Sequence, residues 1–114
     1  MREILKSKIH RAYITGTNPN YMGSIIIDKD LMKKANLIQY EKVLICDVTN
    51  GNRWETYIIE GREGDSGKIE VQGAGSNLCK KGDIVIILSF EITDKKPNPK
   101  MILVDEKNKF VKYL

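Results

Sequence analysis

The dipeptide Gly23-Ser24 is the first place in the chain where residue type and position could combine to do chemistry. It falls where a loop enters the β-branched run 24–27, so the serine hydroxyl is expected to be held beside the carbonyl of its own preceding residue. The structural alternative is a simple turn ending, because a second such pair stands at Gly75-Ser76. Whether Gly23-Ser24 is a reactive site or a simple turn ending therefore depends on the residues around it.

Two basic residues, Lys8 and Arg53, are the second candidates. Each stands at the start of a predicted strand, where the side chains of a small barrel can converge at one mouth. The alternative is a pair of solvated surface charges, which is the usual situation of Lys and Arg. His10 is a lone histidine on a strand and is interpreted as a structural group rather than as a base.

Tyr57, with its neighbour Thr56, is the third candidate, although a tyrosine in a strand is usually a packing residue. The fourth is the segment Gly73-Ala74-Gly75. Its small side chains let backbone N–H groups approach a ligand, as in an anion-binding nest. The alternative for this segment is an ordinary turn.

Short strands separated by turn residues must position these candidates. Strands are predicted over seven segments, at 8–15, 24–27, 42–48, 53–60, 68–72, 84–90 and 101–104. A helix of two to three turns is predicted from Asp28 to Leu37 because Asp28 can cap its N-terminus. Six or seven short strands with one helix predict a small β-barrel.

Three further features refine this barrel. Asn50-Gly51 predicts a tight hairpin before the strand at 53–60. The nearly continuous apolar runs at 42–48 and 84–90 predict strands that are buried on both faces. Residues 106–114 are expected to be a frayed or partner-docked tail.

The composition is that of an ordinary globular chain and argues against a membrane-spanning protein and a metal-binding protein. The 114 residues suit one domain, 1–114, and no apolar run reaches the ~18 residues of a membrane helix. Cys46, Cys79 and His10 have no familiar metal-ligand spacing, so no metal is expected and a reducing cytoplasm is the expected location.

The net charge of +4 raises the alternative of a nucleic-acid-binding barrel. The excess positive charge lies in the first 23 and last 21 residues, while the middle of the chain is slightly acidic. No run of Lys and Arg interleaved with aromatics is present, and this favours a role in solubility. A second alternative is a barrel that assembles without catalysing a reaction.

The order and spacing of several separated motifs carry more information than each motif alone. The chain resembles the pyruvoyl-dependent aspartate decarboxylase family, which makes β-alanine from L-aspartate for pantothenate synthesis, and the resemblance runs from Met1 to about Pro97. The motifs that carry it are Lys8-Ile9-His10-Arg11, Tyr21-Met22-Gly23-Ser24, the run from Asn50 to Tyr57, Gly73-Ala74 and the run from Lys81 to Ile87.

The resemblance implies a mainly β fold, a six-stranded double-psi β-barrel with one or two short helices. It also implies self-cleavage between Gly23 and Ser24 into a β chain, 1–23, and an α chain, 24–114. Ser24 would attack the Gly23 carbonyl to form an ester. Elimination and hydrolysis would then leave a pyruvoyl group in place of Ser24.

The family's chemistry assigns a role to each candidate. The pyruvoyl group from Ser24 would form a Schiff base with the amine of aspartate, and Tyr57 would donate the proton after decarboxylation. Thr56 would bind substrate and stabilise the oxyanion of self-cleavage. The remaining substrate-binding residues that the resemblance implies are Lys8, Arg53, Gly73, Ala74 and Gly75.

One departure from the family pattern stands beside these residues. Gln72 precedes the Gly73-Ala74 loop, where many relatives have Asn; the glutamine keeps the amide and adds a methylene.

The partners that the resemblance implies are L-aspartate, further copies of the chain in a homotetramer with shared active sites and, as in some relatives, a maturation-assisting protein. Neither nucleic acid nor a membrane is an expected partner.

Overall fold

The fold is a single mixed β-sheet with one short α-helix, in a computed structural model that describes residues 1–114. The strands are β1 (Arg2–Tyr13), β2 (Gly16–Asn18), β3 (Ser24–Ile27), β4 (Lys42–Asp47), β5 (Arg53–Glu60), β6 (Ile69–Gln72), β7 (Ile84–Thr93), β8 (Lys100–Val104) and β9 (Phe110–Tyr113). The helix α1 spans Lys29–Lys34, and a 3-10 helix spans Gly73–Asn77. The mainly β fold class with a short helix is confirmed.

The strand order is β2-β6-β3-β5-β4-β7-β1-β8-β9. The sheet has nine strands, three more than the predicted six-stranded barrel, because β2 extends one end of the order and β8 and β9 extend the other. β3 is the strand that matters most for the candidate site. It pairs in parallel with β5 and in antiparallel with β6, so residues from two distant parts of the chain flank Ser24.

The core is built from the inward-facing positions of these strands and from α1. Aliphatic residues dominate it, and its largest fully buried side chains are Ile9, Ile14, Ile25, Ile27, Leu31, Met32, Ile45, Ile58, Ile69, Ile87 and Ile102. Burying a side chain of this size contributes roughly 1.5–3 kcal/mol relative to leaving it exposed. No helix of the chain has the length and hydropathy needed to cross a bilayer.

The local predictions hold for the hairpin and for the helix cap. β4 and β5 pair in antiparallel around the Asn50-Gly51 turn, and the prediction of a strand at 53–60 is confirmed. Asp28 caps α1 by accepting a hydrogen bond from the Asp30 amide at 2.9 Å. The helix ends at Lys34, earlier than predicted, because the chain turns at Asn36, whose φ is 58°.

Two predictions about burial and order do not hold in the single chain. There, β4 and the first half of β7 are not buried on both faces, since buried positions alternate along them with partly exposed ones. The tail is not frayed either, because Phe110–Tyr113 pairs with β8. The buried Asn108 amide holds the preceding turn by donating to the carbonyls of Tyr13 and Gly67, both at 2.8 Å.

Candidate active site

Ser24 occupies a buried and conformationally unusual position at the start of β3. Its φ is 107°, a region that side chains other than glycine rarely adopt, and Gly23 before it has a φ of 103°. Strain of this kind costs on the order of 1–3 kcal/mol and persists only where the surroundings impose it. Ser24 is 2% exposed, and its hydroxyl donates a hydrogen bond to Gln72 Oε1 at 3.1 Å.

Gly73 holds the backbone of Gly23 from the opposite side. A Cβ atom at position 73 would lie 2.6 Å from Gly23 Cα and 2.9 Å from Gly23 N, distances that packed atoms do not reach. The backbone at Gly73 also has a φ of 72°. Only glycine therefore lets the segment 73–77 approach the Gly23-Ser24 peptide this closely.

We expect Gly73→Ala to lose more stability than a matched glycine variant. We also expect it to impair the predicted cleavage between Gly23 and Ser24. Gly82 is the control, because its φ is 94° and nothing lies within 4 Å of a Cβ there. Gly82→Ala should lose about 1–2 kcal/mol from backbone conformation alone. Gly73→Ala should lose roughly a further 1–3 kcal/mol, because its Cβ displaces Gly23.

Chemical denaturation of both variants measures the two losses, and intact mass reports on the peptide bond. Equal stability losses in the two variants would show that the contact between Gly73 and Gly23 has no consequence. The clash adds to the positive-φ penalty only at position 73, so the difference between the variants isolates it.

A cavity of about 430 Å³ opens beside Ser24 and has Tyr57 in its wall. Tyr57 is 39% exposed, and its ring packs against that of Tyr40 with the centroids 6.2 Å apart. Ile25 pairs with Ile58 in the parallel β3–β5 ladder. The ladder begins at this pair, so Ser24 and Tyr57 are each the residue before the first paired position. Thr56 does not line the cavity.

Five charged side chains also line this cavity, and the sequence analysis did not select them. They are Glu60, Arg62, Asp65, Lys68 and Glu70. Lys68 Nζ lies 3.6 Å from the Asp65 carboxylate. The period-2 alternation of Lys68-Ile69-Glu70-Val71-Gln72 is the signal that could have found three of the lining residues, because it points Lys68, Glu70 and Gln72 to one face.

Gly75 is the third member of the predicted loop, and it lies against the β4–β5 hairpin. A Cβ at position 75 would be 2.7 Å from Trp54 Nε1, so the indole packs directly on this glycine. Asn50 and Asn52 each donate a side-chain hydrogen bond to the Leu78 carbonyl at 2.9 Å. The hairpin tip is thereby bound to the end of the 73–77 segment.

Lys8 and Arg53 do not line the cavity beside Ser24. Lys8 pairs with Leu88 on β7, and Arg53 pairs with Cys46 on β4. Neither takes part in an ion pair within the chain. The cavity of one chain therefore gathers Gly23, Ser24 and Tyr57 but leaves both predicted cations outside it.

His10 lies close to Lys8 on β1, and its electrostatics identify it as a neutral group. Burial, followed by the positive charges of Lys8 and Arg11, holds the pKa of His10 below its ordinary value. Its Nδ1 atom is buried without a hydrogen-bond partner. The imidazole is thus uncharged at neutral pH, and the positive charge of this part of β1 comes from Lys8 and Arg11. Lys8 lies in the middle of β1 rather than at the start of a strand as predicted.

The chain matches known proteins over nearly its whole length. A family model described as "Aspartate decarboxylase" matches residues 1–111. The aspartate 1-decarboxylase of Acetivibrio thermocellus is 49% identical over 112 residues, covering 95% of this chain and 88% of the relative. The aspartate 1-decarboxylase of Thermoanaerobacter pseudethanolicus is 51% identical over 112 residues, covering 95% of each.

Among solved structures, the computationally designed protein msDPBB_sym2 is similar to 77% of this chain and 99% of its own, with 19% identity and a TM-score of 0.47.

Proposed function

Because the chain belongs to the aspartate decarboxylase family, a group of carboxy-lyases, we propose that it decarboxylates L-aspartate to β-alanine and CO2 for pantothenate biosynthesis. The observation that carries the proposal is the buried Ser24, held at a positive φ behind Gly23 and facing a cavity that Tyr57 also lines. The proposed location is the cytoplasm, with which two free cysteines, Cys46 and Cys79, are compatible.

The proposed first reaction is cleavage of the chain at its own Gly23-Ser24 bond. Ser24 Oγ attacks the Gly23 carbonyl carbon, the C–N bond breaks, and the released amine of residue 24 takes up the proton, which leaves an ester. Loss of the Ser24 Cα proton breaks the Oγ–Cβ bond and releases Gly23 as a carboxylate. Water then hydrolyses the remaining dehydroalanine to a pyruvoyl group and ammonia.

The backbone at Ser24 supports this reaction. Ser24 has a positive φ, which is strained for a residue with a side chain, so a conversion that removes its peptide bond to Gly23 relieves that strain. Thr56, on the neighbouring strand β5, is the group proposed to stabilise the oxyanion that forms on the Gly23 carbonyl. The fragments expected from cleavage are residues 1–23 and 24–114.

The residues at the site also fit the pyruvoyl group that this cleavage would produce. Its ketone supplies an electrophile for the substrate amine and accepts the electrons left by the departing carboxylate. Gly73 leaves room against the backbone at position 23, and Gln72 offers an amide to position 24. Tyr57, which lines the same cavity, is the group proposed to deliver a proton to the substrate Cα.

The cavity of one chain carries more acidic than basic side chains. Of its two basic residues, Lys68 lies beside Asp65 and Arg62 forms no ion pair, while Glu60, Asp65 and Glu70 are acidic. A bound dicarboxylate would therefore need further cations. We propose that Lys8, Arg53 and the Gly73-Ala74-Gly75 backbone bind the substrate, with Arg53 on a carboxylate. A guanidinium can bind a carboxylate through two parallel hydrogen bonds.

A homotetramer with active sites between neighbouring chains would bring these cations to Ser24. Lys8 and Arg53 lie on the sheet β1-β7-β4-β5, whose outward side exposes apolar residues such as Phe90 and Ile92. A second cavity of about 420 Å³ opens there, lined in part by Leu44 and Leu88. A second chain docked on this side would cover the apolar residues and meet the cations.

We expect the purified protein to form a homotetramer in solution, and light scattering measures the mass of that assembly. Phe90 is 43% exposed in the single chain and should be buried in the assembly. Phe90→Glu would add a charge to this apolar face, and we expect it to reduce both the mass of the assembly and the activity. A fully active monomer would rule out a shared site.

We expect Arg53→Ala to lower kcat/KM for L-aspartate by about 30-fold, or about 2 kcal/mol, from the loss of a charge-assisted contact. The control is Arg2→Ala, which removes the same charge from the start of β1. Steady-state kinetics on fully cleaved protein separate this effect from maturation. Unchanged kinetics in Arg53→Ala would remove Arg53 from the substrate site.

The function as a whole is tested on the wild-type protein by two measurements on one sample. Intact mass should show the two fragments that divide after Gly23. Incubation with L-aspartate should release β-alanine and CO2 in equal amounts. A chain that is cleaved only in a cell extract would assign a maturation-assisting protein as a partner, and a cleaved chain that leaves L-aspartate unchanged would overturn the proposed substrate.

A further inference from the structure

A chain of three side chains connects Ser24 to the wall of the cavity. Ser24 Oγ donates to Gln72 Oε1 at 3.1 Å, and Gln72 Nε2 in turn donates to Glu70 Oε2 at 3.0 Å. Glu70 and Gln72 are two residues apart on β6, so they share a face of the strand, and Gln72 pairs directly with Ser24 on β3. Strand pairing therefore places the side chains of Ser24, Gln72 and Glu70 next to one another.

The direction of the Gln72 amide decides what Ser24 can do. An amide has a donor end and an acceptor end, and a rotation of 180° exchanges them. With the oxygen toward Ser24, the hydroxyl gives its one proton to Gln72 and keeps its lone pairs free. With the nitrogen toward Ser24, the amide would donate to Ser24 Oγ and occupy a lone pair that an attack on Gly23 needs.

Glu70 selects between these two directions. An ionised carboxylate only accepts hydrogen bonds, so it stabilises the amide with its nitrogen toward Glu70 and would repel the amide oxygen. Glu70 forms no ion pair that would compete with this contact, since the nearby Lys68 is beside Asp65. Gln72 is 8% exposed, which leaves little water to substitute for either partner.

We propose that Glu70 is a positioning residue for self-cleavage, acting through Gln72 to keep the attacking lone pairs of Ser24 free. The inference rests on the proposed function, because it concerns the rate of the same cleavage reaction. Glu70 touches neither the scissile bond nor the substrate in this role.

The test follows cleavage in time after cell-free translation has been stopped, using intact mass. Glu70→Ala should slow cleavage about tenfold, which corresponds to about 1.4 kcal/mol. Glu70→Gln offers Gln72 a donor as well as an acceptor, so it no longer selects one direction and should cleave at a rate between those of Glu70→Ala and wild type. Glu63→Ala, which removes the same charge from an exposed turn, is the control and should cleave at the wild-type rate.

A double-mutant cycle distinguishes positioning from a general structural role. In a Gln72→Ala background the amide is gone, so Glu70→Ala should change the rate by less than about twofold. Should Glu70→Ala fail to fold, Glu70→Lys replaces it, because a lysine donates to the amide oxygen and favours the reversed direction. Glu70→Lys should cleave more slowly than Glu70→Gln.

Each outcome bears on the proposal. Cleavage of Glu70→Ala at the wild-type rate overturns it, and so does a loss of the same size in the Gln72→Ala background. Equal rates for Glu70→Lys and Glu70→Gln overturn it as well. A wild-type chain that never cleaves overturns the self-cleavage part of the proposed function and this inference together, and the wild-type arm alone reveals that case.

Discussion

The Ser24→Ala variant is expected to remain one intact chain of 114 residues and to release no β-alanine from L-aspartate. The substitution removes the oxygen that attacks the Gly23 carbonyl, and the alanine methyl group cannot replace it. It also removes the atom that elimination would expel, so no pyruvoyl group can form at this position. Intact mass and the decarboxylase assay on the same sample measure both losses.

The control for this variant is Ser76→Ala, at the second Gly-Ser pair of the chain. Ser76 donates its hydroxyl to the Val71 carbonyl at 3.1 Å and lies in the 3-10 helix rather than at a strand entry. Ser76→Ala should therefore yield fragments 1–23 and 24–114 as the wild type does. Two fragments dividing after Gly23 in Ser24→Ala would contradict the mechanism.

Tyr57→Phe should separate catalysis from maturation. The variant keeps the ring that packs against Tyr40 and loses only the hydroxyl. Cleavage needs Ser24 and the groups around the Gly23 carbonyl, so Tyr57→Phe should still divide into two chains. A tyrosine hydroxyl is protonated at neutral pH, and general acid catalysis by such a group is worth roughly 10²–10⁴-fold. Turnover of L-aspartate should fall by that factor.

Tyr40→Phe is the matched control, because it removes the same hydroxyl from the other ring of this pair. Tyr40 is 69% exposed and does not line the cavity beside Ser24. Its turnover should stay close to that of wild type. A fully cleaved Tyr57→Phe protein with turnover within about twofold of wild type would show that another residue or water supplies the proton.

Local sequence signals predicted those elements whose geometry depends on near neighbours. Asn50-Gly51 predicted the hairpin, and Gly51 adopts a φ of 81° in the connection 47–52 between the paired residues Cys46 and Arg53. Alternation predicted the faces of β5, where Arg53, Glu55 and Tyr57 are exposed and Ile58 is buried. The N-cap at Asp28 was predictable for the same reason, since its partner is two residues away.

Burial and tail order were predicted less well because they depend on what packs against an element. The apolar run of β4 indicated a strand that is covered on both faces, but single-chain burial alternates along it. Residues 106–114 indicated a frayed or partner-docked tail. The buried Asn108, which contacts Tyr13 and Gly67 across the fold, orders that segment.

The sequence by itself determined which residues could do chemistry at this site and in what order they occur. Gly23-Ser24, Tyr57 and the segment 73–75 were all identified by residue type, local position and family motifs. These features are properties of the chain that do not depend on strand pairing. They were sufficient to identify the family to which the chain belongs.

Only the tertiary structure decided which of these residues meet. Ser24 contacts Gln72, which is 48 residues away, and Gly73 packs on the backbone of Gly23. Both contacts depend on the register of β3 against β6, and a shift of one residue would turn every side chain of the strand to the other face. Because register is set by the packing of the whole sheet, the link from Glu70 through Gln72 to Ser24 could not be inferred from local sequence.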